Sequence, residues 1–163
     1  MKLFLECLPD ETVELALGVP RRTVVHSHSK GRVAKGLEAH SGVVGMVDED
    51  YGQNEPASLR KFKGASAAHD LLSKTDPVTK NRLVVICPNL EAWLIKTAKV
   101  ANVDMAQFHL PARPGELHAE INFRLPNLQR LIAKLLELSS PRVLHLKELL
   151  AVRPRKHLDD VTA

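Results

Sequence analysis

Three acidic residues stand where apolar segments of the chain end. Glu6 follows the apolar run LFL, and Asp48 and Asp50 follow a second apolar run in the sequence VVGMVDED. In an open parallel sheet, ligands gather beyond the carboxyl ends of the strands, so acids that end separate strands are expected to meet there. Asp48 and Asp50 are two residues apart, so in an extended segment their side chains point the same way while that of Glu49 points away.

Such a group of acids predicts a metal site. Neighbouring carboxylates at a buried strand end repel each other, and burial makes each charge costly unless a cation compensates it. Mg²⁺ or Mn²⁺, which are hard and prefer oxygen ligands, match this need. The alternative is that residues 48–50 are simply the polar start of a loop, because Asp-x-Asp taken alone is a weak motif.

The elements that position these acids are predicted from apolar runs and from helix boundary signals. The runs are continuously apolar, which is typical of parallel strands that are buried on both faces. Predicted strands are residues 3–5, 23–25, 43–47 and 83–87. Predicted helices are residues 12–17 with Asp10 as N-cap, 30–40, 65–73 and 90–100. Strands that alternate with helices predict an α/β fold with a mostly parallel sheet and helices on both faces.

The last third of the chain has a different pattern. Residues 127–138 form an amphipathic helix by their apolar spacing, and residues 144–152 predict another helix. Prolines and Gly115 between residues 104 and 124 indicate a loop. We therefore expect a core of residues 1–103 and a helical extension, residues 104–163, that packs on the same domain.

The composition restricts the class of protein. The 163 residues are 44% hydrophobic and 26% charged, which is typical of a globular protein rather than a disordered one. Two cysteines, Cys7 and Cys87, argue against a zinc finger or a disulfide scaffold. A net charge of +4 permits a polyanionic partner without requiring one. With no run of about 20 apolar residues and no signal-peptide core, we expect a cytoplasmic protein without a membrane partner.

Two segments resemble a known family. LFLECLPDETVELALG followed by VVGMVDED resembles the Toprim fold of topoisomerases, primases and related nucleases. This resemblance implies that Glu6, Asp48 and Asp50 are the catalytic metal ligands. Family members usually have glycine after the glutamate, whereas this chain has Cys7, which is a departure from the pattern of topoisomerases and bacterial primases.

The second segment narrows the resemblance to one branch. LVVICPNLEAWLIKTAK is similar to stand-alone Toprim-like proteins and to the Toprim portion of the overcoming-lysogenization-defect nucleases. In those proteins a glutamate of this helix lies near the metal, which implies Glu91 as a fourth ligand. Glu91 also has a simpler interpretation, because an acid in the first turn of a helix is stabilised by the helix dipole.

Four basic residues are candidates for contact with nucleic acid. Lys30 and Arg32 lie at a predicted helix N-terminus, where backbone N–H groups and cations can receive a phosphate. Lys61 and Lys63 flank Phe62 and can follow a nucleic-acid backbone. For all four, the alternative is an ordinary solvated surface.

The leading functional hypothesis is a Toprim-like, metal-dependent nuclease that acts on DNA or RNA with Mg²⁺ or Mn²⁺. Tyr51, the sole tyrosine, stands beside the acids and is expected to serve the metal loop or packing rather than strand transfer. The alternative is a non-catalytic metal-binding and nucleic-acid-binding or regulatory module. The helix at residues 127–138 is expected either to form a homodimer or partner interface or to lie against the sheet.

Overall fold

The computed structural model describes residues 1–50 and 55–150. The strands are β1 (Leu3–Leu5), β2 (Val24–His26), β3 (Val44–Asp48), β4 (Lys63–Ala68), β5 (Leu71–Thr75) and β6 (Arg82–Ile86). The α-helices are α1 (Leu8–Ala16), α2 (Lys30–Glu38), α3 (Leu90–Val100), α4 (Pro114–Glu120), α5 (Leu125–Glu137) and α6 (Pro141–Leu150). Short 3₁₀ helices lie at Arg21–Thr23, Ala57–Lys61, Met105–Phe108 and Ile121–Phe123. The predicted α/β class is confirmed.

The six strands form one mixed sheet in the order β2-β1-β3-β6-β5-β4. The first four strands of this order are parallel, and β5 and β4 are antiparallel to their neighbours. Nearly all residues of β1, β3 and β6 are buried, as expected for strands that are covered on both faces. The carboxyl ends of β1, β3 and β6 therefore meet at one edge of the sheet, which we call the carboxyl edge.

Helices cover both faces of the sheet. Leu3 and Leu5 point to the face that carries α1, α3, α4, α5 and α6, and Phe4 points to the face that carries α2. Helix α2 approaches the sheet closely, because a Cβ atom at Gly36 would lie 2.5 Å from the Phe4 ring. At Gly45 on β3, a Cβ would lie 3.0 Å from Leu37 and Val33. These glycines allow α2 to pack closely against β1 and β3.

The helix predicted at residues 65–73 is wrong, because this segment forms the hairpin of β4 and β5. His69 and Asp70 make its two-residue turn with φ values of 55° and 58°, the left-handed pair that favoured hairpin turns require. Pairing of β5 with β6 supplies backbone hydrogen bonds that outweigh the helical tendency of the alanines. Strand pairing in the sheet has therefore outweighed the local helix propensity of residues 65–73.

The start of α1 also differs from the prediction. The helix begins at Leu8 with Cys7 as N-cap, so Asp10 is not the cap but lies in the first turn. One Asp10 carboxylate oxygen accepts the Cys7 backbone N–H at 3.2 Å. Asp10, although it lies within the helix, thus accepts a hydrogen bond from one of the backbone N–H groups that are free at the helix start.

The C-terminal helices pack against the rest of the chain. The apolar side of α5 is fully buried and contacts α1, so the apolar face predicted at residues 127–138 lies inside this chain. Helix α6 is attached at both ends, since Arg142 bonds Asp70 and the Leu149 carbonyl accepts a hydrogen bond from Arg82 at 2.8 Å. Among the described residues, no helix is both long enough and apolar enough to cross a bilayer.

Candidate metal centre

Glu6, Asp48 and Asp50 lie together at the carboxyl edge. Each offers one carboxylate oxygen, and these three oxygens lie within 4.8 Å of one another. Glu6 directly follows β1 and Asp48 ends β3, so the pairing of two parallel strands brings them side by side. The Asp48 backbone N–H donates to Glu6 Oε2 at 2.9 Å. The three acids form the group that we call the acid cluster, and it can hold a metal ion.

The backbone conformation that brings Asp50 to the acid cluster differs from the predicted extended one. Its φ is +47°, so residues 48–50 are not continuously extended and simple alternation does not orient the Asp50 side chain. The chain first continues alongside the end of β6, where the backbone N–H of Asp50 donates to the Pro88 carbonyl at 3.1 Å. Aspartate tolerates the left-handed conformation better than most residues, which allows the turn. Tyr51 lies outside the described residues.

Burial and repulsion by neighbouring acids favour the protonated forms of Asp48 and Glu6. Burial raises the pKa of Asp48 to about 9, with further contributions from the charges of Asp10, Glu6 and Asp50. Burial also raises the pKa of Glu6, although the Asp48 N–H and the Lys30 charge oppose that shift. Asp48 Oδ1 is buried and has no hydrogen-bond partner among the described residues. A polar atom left in this state is costly, and a bound cation would satisfy it.

Two further acids lie on α1 behind the cluster. Asp10 is 3% exposed, and burial raises its pKa to about 7. Glu14, one helical turn later, is fully buried, and neither of its carboxylate oxygens has a partner among the described residues. Burial raises the pKa of Glu14 well above its usual range, with the Asp10 charge as the second cause. The sequence signal for Glu14, an acid on the same helical face as Val13 and Leu17, was not used in the prediction.

Lys30 is the predicted basic residue that lies nearest to the acids. Its Nζ donates to the Glu49 carbonyl at 3.3 Å, and both its charge and its backbone N–H lower the pKa of Glu6. Ser29 caps α2 by accepting the Arg32 backbone N–H at 3.2 Å, so the positive end of the helix dipole faces this region. Arg32 itself is exposed on the first turn of α2. Its contact with nucleic acid stays a prediction.

Lys61 and Lys63 are not brought to the acid cluster. Lys63 is aligned through β5 and β6 with Val44, which begins β3, whereas Asp48 ends that strand. Four residues of strand correspond to about 13 Å, so these lysines lie toward the opposite edge of the sheet. Lys61 also forms an ion pair with the buried Asp76 at 3.5 Å. If Lys61 and Lys63 bind nucleic acid, they therefore do so at a distance from the acid cluster.

Glu91 lies in the first turn of α3 and is 9% exposed. Helix α3 begins four residues after Ile86, which pairs with Asp48, so Glu91 lies at the carboxyl edge. Its charge contributes to the raised pKa values of Asp48 and Asp10. It is not one of the three residues whose oxygens lie within 4.8 Å of one another. Glu91 Oε1 is 2.9 Å from Nδ1 of His118, a residue of α4 that the sequence analysis did not single out.

Cys87, which directly follows β6, is held as a thiol. Cys87 Sγ donates to Glu49 Oε2 at 3.1 Å, and Glu49 is thereby turned away from the cluster, as the alternation at residues 48–50 predicts for it. Burial, followed by this hydrogen bond, raises the pKa of Cys87 to about 12. A thiol that stays protonated is a poor nucleophile, so Cys87 is not a candidate nucleophile at this edge.

The raised pKa values predict a pH dependence of stability. Unfolding exposes the acids, whose pKa values then return to about 4. Between that pH and the folded values near 7 for Asp10 and 9 for Asp48, the native protein holds protons that the unfolded chain has lost. The free energy of unfolding in EDTA should therefore fall as pH rises from 5 to 9, by up to about 1.4 kcal/mol per pH unit for each such proton. Urea denaturation across this range measures the slope, and a rising stability would contradict the assignment.

Comparison with known proteins yields no significant match to a protein-family model, to a curated protein or to a solved structure. The functional interpretation therefore depends on the geometry of the acid cluster and on the chemistry of its surroundings.

Proposed function

We propose that this chain is a Toprim-like, metal-dependent phosphodiesterase that cleaves DNA or RNA. The observation that supports this most is the convergence of Glu6, Asp48 and Asp50 at the carboxyl edge, with one buried Asp48 oxygen unpartnered among the described residues. All three side chains offer carboxylate oxygens, a donor set that fits Mg²⁺ or Mn²⁺. Glu91, which is nearly buried on the same side, is the proposed fourth ligand.

A divalent cation bound here would polarise a phosphodiester and lower the pKa of an attacking water. Glu6, Asp48 and Asp50 would hold and orient that cation, and its charge would favour the ionised forms of Glu6 and Asp48, whose pKa values are raised. Lys30 is placed to contact a phosphate oxygen, because its Nζ lies at the Glu49 carbonyl beside the acids. The helix N-terminus of α2 adds a second positive feature to the same side.

The test is cleavage of labelled single-stranded and double-stranded DNA and RNA in Mg²⁺, Mn²⁺ or EDTA. We expect cleavage that requires the metal and falls by at least about 100-fold in Glu6→Gln, since removal of a ligand should cost at least as much as removal of a residue that supports one. Glu137→Gln is the matched control, because it makes the same chemical change at an exposed ion pair on α5. Binding without metal-dependent cleavage would contradict the enzyme and support a non-catalytic module.

A further inference from the structure

A side chain from the C-terminal half of the chain contacts Glu91, the proposed fourth ligand. His118 on α4 is hydrogen-bonded through Nδ1 to Glu91 Oε1 at 2.9 Å, although the two residues are 27 positions apart. The Glu91 side chain is 12% exposed and that of His118 is 78% exposed. The contact therefore joins a nearly buried acid beside the cluster to a residue at the protein surface.

The position of α4 is set by the core rather than by this contact. Leu117 is fully buried, and Ile121, one turn later, is 1% exposed, so both fix the rotation of the segment against the core. His118 follows Leu117 directly and is consequently placed at the rim, within reach of α3. Replacing the His118 side chain should leave the packing of α4 intact.

Within the described part of the chain, the His118 contact uses only one of the two Glu91 carboxylate oxygens, Oε1. Because a carboxylate only accepts hydrogen bonds, the proton of the contact belongs to His118 Nδ1. Among the described residues, no hydrogen bond is made to Glu91 Oε2. Helix α3 begins four residues after Ile86, which pairs with Asp48, so Glu91 in its first turn lies at the carboxyl edge with the acid cluster. A cation near Oε2 would be favoured by the acids that surround it.

We propose that His118 is a positioning residue of the metal centre, which holds Glu91 through Oε1 so that Oε2 remains available to the cation. This inference rests on the metal site of the proposed function and extends it to α4. Removal of a hydrogen-bond donor that orients a metal-ligating side chain typically weakens metal affinity by about 10- to 100-fold. Removal of a simple exposed ion pair, by contrast, would have little effect on stability or on metal affinity.

Direct Mn²⁺ binding, followed by electron paramagnetic resonance of the free ion and by calorimetry at fixed pH, tests this role without any activity assay. We expect His118→Ala to bind Mn²⁺ at least about 10-fold more weakly than the wild type, with an unchanged melting temperature in EDTA. His118→Asn should recover much of the affinity, because the amide nitrogen of asparagine is bonded to Cγ as Nδ1 is. Glu116→Ala, an exposed change on the same helix that removes only an ion pair with Arg113, is the control and should bind normally.

A double-mutant cycle identifies the route of the effect. If His118 acts through Glu91, the variant with both Glu91→Gln and His118→Ala should bind Mn²⁺ no more weakly than Glu91→Gln alone. Additive losses, or normal affinity in His118→Ala, would overturn the positioning role while leaving the proposed phosphodiesterase in place. Wild-type protein that does not bind Mn²⁺ would overturn both. Normal Mn²⁺ binding and the expected His118 effect without nucleic-acid cleavage would overturn the phosphodiesterase alone.

Discussion

Asp48→Asn should raise the melting temperature of the metal-free protein and remove most of the stabilisation that Mg²⁺ or Mn²⁺ gives the wild type. Burial and surrounding acids raise the pKa of Asp48 to about 9, so at neutral pH folding without metal requires this acid to take up a proton, and a neutral amide removes that cost. Cleavage of nucleic acid should be lost at the same time. Higher apo stability together with lost activity is the expected pair of outcomes, because functional acids are often placed at the expense of stability.

The metal effect follows from linkage. A cation about tenfold above its dissociation constant stabilises the native state by about 1.4 kcal/mol, which corresponds to roughly 3–6 °C in melting temperature for a domain of this size. The wild type should show this shift between EDTA and millimolar metal, and Asp48→Asn should not. Asp104→Asn is a matched control, since Asp104 caps a distant 3₁₀ helix and asparagine can accept the same Ala106 N–H. Equal metal-induced shifts in wild type and Asp48→Asn would mean that the chosen acids do not hold the ion.

The meeting of the acids could be predicted from the sequence because it depends on a simple regularity. Continuously apolar segments indicate parallel strands, and parallel strands place their carboxyl ends at one edge. That reasoning brings Glu6 and Asp48 together without knowledge of the loops between them. The predicted helix at residues 90–100 also has the bounds of α3, because Asn89 provides a clear N-cap by accepting the Ala92 N–H.

Other features depend on contacts that sequence patterns do not encode. The location of Lys63 depends on the antiparallel pairing of β5 and β4 at one side of the sheet. The sequence did not indicate this hairpin, because its alanine-rich segment resembles a helix. His118 meets Glu91 because α4 folds back against α3, within a segment whose prolines indicated only a loop. The burial of Glu14 without a hydrogen-bond partner from the described segments is a property of helix packing, since only the assembled core removes this side chain from water.

Asp70→Asn should destabilise the protein by on the order of 2–3 kcal/mol, because it leaves a buried guanidinium without its counter-charge. Arg142 is 5% exposed, and its Nη1 donates to Asp70 Oδ2 at 2.8 Å. Its Nε donates to Thr97 Oγ1, and the guanidinium carbon lies 5.3 Å from the centre of the Trp93 ring. Asparagine tolerates the positive φ of the hairpin turn, so the variant removes the charge and retains the backbone conformation.

The control uses the second cation on the same carboxylate oxygen. Lys96 Nζ lies 2.7 Å from Asp70 Oδ2, but the lysine side chain is 58% exposed, so Lys96→Ala should cost no more than about 1 kcal/mol. Hydrogen bonds from Lys96 and Arg142 lower the pKa of Asp70, so the ionised carboxylate contributes stability above the usual aspartate pKa and loses it as the pH falls through the folded value. The difference between wild type and Asp70→Asn in urea denaturation should accordingly be full at pH 7 and shrink below about pH 4. If Lys96→Ala lowers the free energy of unfolding as much as Asp70→Asn does, the effect of the Asp70 charge does not depend on the burial of Arg142. The attachment of α6 to the hairpin turn would then derive its strength from apolar packing instead.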